Sequence, residues 1–255
     1  MAATVGPMHS LTVDGGPGSD TILGASGKDA TYFDFSGSSG DDVLRAGTST
    51  GRMTGGPGAD HIDTGQSDVD LSYADSSAGV TLDLRRGTGS RGDARGDVLT
   101  GQILTLLGSR HDDDIHAGDG GSLIYGSAGN DVLVGGDGAD FLNGGTGDNT
   151  LRGGPGNDSL GADAGRYGHP RNRMDGQAGN DDLTGALATD DLRGGAGRDR
   201  VMNVAGNDRV DVRDGGADRV SCRLPHARRA RASIQVDRFD VVGPSCPKNA
   251  VRRTP

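Results

Sequence analysis

Aliphatic residues return at every ninth position between 126 and 160, at Leu133, Leu142, Leu151 and Leu160, each at the centre of a triplet that follows six residues rich in glycine and aspartate. A triplet with its apolar residue in the middle predicts a short strand with one buried side chain, and the glycine-rich six predicts a tight turn. The core predicted is therefore a thin strip of Leu, Ile and Val held between two sheets. Farther upstream, Val80, Leu82 and Leu84 alternate with Thr81 and Asp83, which predicts a strand with one buried face. The longest apolar cluster, around Ile103 to Leu107, is far too short to span a membrane.

The stretch reads GSAGND VLV GGDGAD FLN GGTGDN TLR GGPGND SLG, and the residue ending each six gives the phase. In the centre that position falls at Asp113, Ser122, Asp131, Asp140, Asn149 and Asp158, and farther on at Asp181, Asp190, Asp199 and Asp208. Near the start it falls at Asp20 and Asp29, shifts by four residues, and resumes at Asp42, Gly51 and Asp60. Short carboxylates at one point of every turn, beside glycines whose positive φ lets backbone carbonyls come close to an ion, make an oxygen-only ligand set. Such a set suits a hard cation, above all calcium. The candidate metal ligands are those aspartates and Asn149, with the turn glycines Gly126, Gly129, Gly135, Gly136, Gly138, Gly144, Gly145, Gly147, Gly153, Gly154, Gly156, Gly194, Gly195 and Gly197.

The unit Gly-Gly-x-Gly-x-Asp-x-aliphatic-x resembles the repeat of the RTX, or hemolysin-type, calcium-binding proteins. That resemblance implies an all-β fold, a parallel β-roll or β-helix solenoid in which two nonads make one full turn. Loops eighteen residues apart then stack on one edge and hold several Ca²⁺ ions between them. Same-edge partners become Asp42 with Asp60, Asp113 with Asp131, Asp140 with Asp158, Asp181 with Asp199, and Asp190 with Asp208. On this register Asn149 stands between Asp131 and Tyr167, at a level with less charge than its neighbours.

Composition narrows the picture. The chain has 48 glycines and 36 acidic residues in 255, and every acid is Asp. A surface that needed only solubility would use both acids, so the exclusive choice points to a turn that wants the short side chain. Absence of Glu, with only Lys28 and Lys248 as lysines, also removes good helix formers, and almost no helix is expected. Hydrophobic residues are 32% and aromatics 3%, few enough that the metal-free chain is expected to be disordered.

Residues 66–110 break the nine-residue beat. The run from Ser72 to Ser109 is similar to a spacer common in RTX proteins, with its Tyr-x-x-Ala start, Gly-Val-Thr strand, Gly-Asp-x-Leu rung and closing Gly-Ser. It departs from that pattern at Gln102 to Leu107, and is expected to form longer rungs with a loop near 86–95. A second gap, 163–180, carries Arg166, Arg171, Arg173 and His169-Pro170 and is expected to bulge as a loop. The expected organisation is a roll over 1–218 that includes both insertions, then a cap over 219–255.

That cap is basic. Residues 219–255 hold nine Lys or Arg against two Asp, with Arg228, Arg229 and Arg231 clustered, whereas the remainder holds 17 basic against 34 acidic residues. The segment lacks interleaved aromatics, so no nucleic-acid partner is expected, and a solvated tail or a contact with the acidic roll fits it better. Cys222 and Cys246 are the only cysteines. A disulfide between them would staple the end of the solenoid; two separate thiols, or a metal site, are the alternatives. The even count and the export implied by calcium sites favour the disulfide. The closing stretch also resembles the cysteine-paired ends of RTX-type exported bacterial proteins.

Met1 to Pro7 lacks the basic start and apolar core of a signal peptide. Catalytic constellations are missing too. Without Glu there can be no His-Glu-x-x-His zinc helix, no Gly-x-Ser-x-Gly elbow occurs, and GTGSRG at 87–92 is the kind of match that so many glycines make by accident. His111 and His116 flank Asp112 to Asp114 and suit a transition metal, although exposed loop histidines explain them more simply. A non-enzymatic, monomeric, extracellular bacterial protein is expected. The function expected is a secreted calcium-binding module; the alternatives are a calcium-stabilised adhesin or surface-layer component that meets the cell envelope or an extracellular polymer through the basic tail or the 163–180 loop, and a non-catalytic fragment of a larger RTX exoprotein.

Overall fold

Glycine-rich sixes turn the chain and the triplets after them pair side by side, so strands of successive turns run parallel. The computed structural model describes residues 10–24, 32–48, 50–66, 68–163, 171–186, 189–204, 207–222 and 232–254. Along most of its length the chain alternates between a 12-stranded and a 14-stranded sheet that share one core, giving a parallel β-solenoid of about 12 turns. Among the described residues the only helical element is the 3-10 turn Gly92–Ala94.

The two-nonad turn is visible in the register. Val132 pairs with Thr150 and Phe141 with Ser159, each eighteen residues on. Within each triplet only the middle residue points inward, and Leu133, Leu142, Leu151 and Leu160 are at most 1% exposed. Each contributes about 1.5–3 kcal/mol by burial. The flanking residues face solvent, where Arg152, Asp175, Arg193 and Asp211 follow one another on adjacent strands with alternating sign. Opposite charges facing each other across strands favour this register.

Both insertions are absorbed by the same two sheets, but not as loops alone. In the spacer, residues 86–95 contain the strand Thr88–Arg91, which pairs antiparallel with Thr81–Asp83 and Val98–Thr100, followed by the 3-10 turn. The expected loop is thus largely replaced by ordered structure, because Gly87 at φ 65° makes a tight reversal and Ala94 is fully buried beneath it. In the second insertion the strand Arg173–Ala178 pairs with Thr150–Pro155, so Thr150 meets Arg173, five residues beyond the eighteen-residue spacing. Residues 164–170, with Arg166, Tyr167 and His169, lie outside the described residues, as do Met1 to Pro7, Lys28, Asp29, His226, Arg228, Arg229 and Arg231.

Strands Arg219–Cys222 and Val241–Val242 extend the first sheet, and Ser233–Val236 and Val251–Arg253 the second. Cys222 and Cys246 form a disulfide across a sequence separation of 24. Closing a loop of that length contributes on the order of 3 kcal/mol by restricting the unfolded chain.

Candidate metal centre

Among the described residues the aspartates that end the turns carry their carboxylates inward. Asp42, Asp60, Asp131, Asp158, Asp181, Asp199 and Asp208 are at most 2% exposed. Their first oxygens form a ladder in which Oδ1 of one turn accepts the backbone N–H of the equivalent residue one turn earlier. Asp42 donates to Asp60 at 2.9 Å, Asp113 to Asp131 at 2.9 Å, Asp140 to Asp158 at 2.9 Å, Asp181 to Asp199 at 2.9 Å and Asp190 to Asp208 at 2.9 Å. The five predicted same-edge pairs are therefore stacked neighbours, and Asp20 joins them by donating to Asp42 at 2.7 Å.

The register departs from prediction at Asn149. Its N–H donates to Oδ1 of Asn172 at 3.1 Å, so Asn172, and not Tyr167, is its partner in the next turn. The five additional residues of the second insertion cause the change, and they also bring Asp158 over Asp181 at 2.8 Å. Three ladder carboxylates were not among the predicted residues. Asp97 accepts from Asp60 at 2.9 Å, Asp218 from Asp199 at 2.7 Å and Asp240 from Asp218 at 3.1 Å. Each precedes an x-aliphatic pair, Val98-Leu99, Arg219-Val220 or Val241-Val242, which is the signal that could have found them.

The second oxygens decide what the turns can do. Oδ2 of Asp20, Asp42, Asp60, Asp131, Asp158, Asp181, Asp199 and Asp218 is buried with no hydrogen-bond partner. A buried carboxylate oxygen left alone is costly, and a bound cation or a proton would relieve that cost. The cost shows in the acidities: burial, helped by the neighbouring carboxylates, pushes Asp60, Asp131 and Asp218 up to about 7. It pushes Asp158, Asp181 and Asp199 up to about 6.

Among the described residues no three His, Cys, Asp or Glu side chains converge on one point. Backbone carbonyls of the glycine turns are the other oxygens beside the carboxylates. Asn149 shows where they are, because its Nδ2 donates to the carbonyls of Gly147 at 3.2 Å and Gly145 at 3.4 Å. The first glycine of each six keeps the turn against its carboxylate. A Cβ at Gly153 would overlap Oδ2 of Asp158, and Gly154, at φ 113°, would press a Cβ on the Gly136 carbonyl. An all-oxygen, glycine-lined donor set of this kind suits calcium. The His116 imidazole instead lies 3.2 Å from Asp114, with both side chains exposed.

Near the C-terminal strands an arginine reaches two backbone carbonyls. Arg253 donates to the carbonyl of Asp237 at 3.0 Å and to that of Asp240 at 3.3 Å.

A parallel solenoid with a buried carboxylate in turn after turn defines a calcium-binding nonapeptide-repeat roll. Residues 12–32, 36–68, 107–142, 134–167 and 171–201, together more than half of the chain, match the RTX calcium-binding nonapeptide repeat. The chain belongs to that family, and its repeats are calcium-binding. No curated protein matches it. Among the described residues no helix is long and apolar enough to cross a membrane.

Asn149 offers a direct probe of the ladder. Replacing its Nδ2 with oxygen removes the two donors that occupy the Gly145 and Gly147 carbonyls and adds a charge beneath Asp131. Asn149→Asp is expected to raise the calcium stoichiometry or tighten the weakest binding step in a calorimetric titration. Unchanged stoichiometry and affinity would count against this account of the turn.

Proposed function

We propose that the protein is an exported calcium-binding module whose roll is completed when Ca²⁺ fills the turns along its edges. The observation that carries this is the set of buried, partnerless Oδ2 atoms. The ligands would be the ladder aspartates whose Oδ2 has no partner, with carbonyls of the adjoining glycine turns. Asp29 belongs to the same phase by sequence. Asn149 would block its own level, and the repeat acts by binding and folding, with no catalytic step. RTX repeat proteins are typically secreted by bacteria, which supports an extracellular site of action, where millimolar calcium can saturate weak sites.

Calcium added to chelated protein is expected to bind exothermically or endothermically at several sites with dissociation constants of roughly 10⁻⁴ to 10⁻³ M. Magnesium should not replace it, because that ion demands a tighter octahedron and gives up its waters reluctantly. Calorimetry in which magnesium binds as well as calcium, or calcium not at all, would refute the proposal.

A further inference from the structure

The ladder carboxylates fall into two kinds. In Asp20, Asp42 and Asp60 the buried Oδ2 has no partner, and all three precede strands of the 14-stranded sheet. The same is true of Asp158, Asp181, Asp199 and Asp218, but these four precede strands of the 12-stranded sheet and so lie along the other edge. Between the two groups the protein closes the equivalent oxygens with its own donors. Oδ2 of Asp97 accepts the Tyr73 hydroxyl at 2.7 Å, Oδ2 of Asp113 accepts the Ser109 N–H at 2.7 Å, and Oδ2 of Asp140 accepts the Gly136 N–H at 2.7 Å. Ser109 also gives its hydroxyl to Oδ1 of Asp113 at 2.7 Å. Asp131 keeps a free oxygen but stands alone, with closed Asp113 on one side and the amide Asn149 on the other.

A phenol hydroxyl in line with a carboxylate oxygen occupies the direction from which a cation would approach. Tyr73 is 2% exposed and Asp97 1%, so neither has solvent into which to turn aside. We propose that calcium loads in two separate rows on opposite edges of the roll, Asp20–Asp42–Asp60 and Asp158–Asp181–Asp199–Asp218, parted by a metal-free segment that Tyr73 and Ser109 close. This rests on the ladder aspartates being the calcium ligands. In a solenoid each turn touches only its neighbours, so coupling between the rows has to cross rungs that take up no ion.

Hydrogen exchange of the intact chain, followed by mass spectrometry across a calcium series, reads the two rows separately. Asp42→Ala is expected to abolish calcium-dependent protection in 12–63 while moving the calcium midpoint for 150–220 by less than about three-fold, and Asp181→Ala to do the converse. A larger shift, or loss of protection in the distant row, would show one cooperative array and overturn the proposal. Protection that never responds to calcium would overturn the ligand assignment as well, so the two failures are distinguishable. Tyr73→Phe keeps the buried ring and frees Oδ2 of Asp97; it is expected to increase the calcium retained after equilibrium dialysis, and unchanged retention would show that the phenol does not stand in for an ion.

Discussion

Chelation at neutral pH is expected to abolish most of the β-sheet circular dichroism of the protein, and added calcium to restore it. Stacked turns bring Asp158 within hydrogen-bonding distance of Asp181, and Asp181 of Asp199, along a file of buried carboxylates. Without an ion between them their mutual repulsion and desolvation oppose folding. On the favourable side each nonad buries a single aliphatic residue, while its glycines lose more backbone freedom on folding than any other residue type. Calcium bound only by the folded chain shifts that balance by mass action. The end closed by the disulfide is expected to keep residual order. A chelated sample with the spectrum and melting temperature of the calcium-loaded one would disprove the mechanism.

Acidification is expected to do part of the work of calcium. The ordinary carboxylate value is 3.8, and burial raises Asp60, Asp131 and Asp218 to about 7 in the metal-free fold. A folded-state value above the unfolded one means that the native chain holds protons the unfolded chain has lost. Stability of the metal-free roll is therefore greatest near and below roughly pH 4 and falls as pH rises through the window from 4 to 7. With calcium bound the sign reverses, because the ion lowers the folded values and acid then competes with metal. The chelated protein should show sheet structure near pH 4.5 that disappears by about pH 7.5, whereas the calcium-loaded protein keeps it at the upper end. Chelated protein with the same melting temperature at both pH values would contradict the burial of these carboxylates.

Much of this architecture is legible in the nine-residue beat. The phase of Leu133, Leu142, Leu151 and Leu160 locates strands, and counting eighteen from Asp42, Asp113, Asp140, Asp181 and Asp190 finds the residue stacked on each. Counting fails where the beat stops, since nothing in residues 164–171 states how many of them a turn will absorb; Asn149 consequently meets Asn172 and not Tyr167. Spacer residues 86–95 mislead for a related reason, because a polar, glycine-rich string reads as a loop whether or not its backbone pairs. Least legible is which carboxylates keep a free oxygen. Asp140 and Asp158 both close a Gly-Gly-x-Gly-x-Asp unit, yet the Gly136 N–H turns to Asp140 while Asp158 receives no such bond. That difference lies in backbone orientation within the turn, which the shared Gly-Gly-x-Gly-x-Asp pattern does not encode. For Asp97 the deciding partner is Tyr73, 24 residues away.

The Arg253 guanidinium gives the terminal turn a cation that cannot diffuse away. It is attached to the chain and grips the carbonyls of Asp237 and Asp240 whatever the surrounding calcium concentration. The turns whose aspartates keep an unpartnered oxygen would depend on an exchangeable ion, whereas this one carries its own cation and is fastened nearby through Cys222 and Cys246. When calcium is removed and restored, that rung is expected to stay in register. Reassembly is then expected to start from that rung and spread to the turns stacked on it.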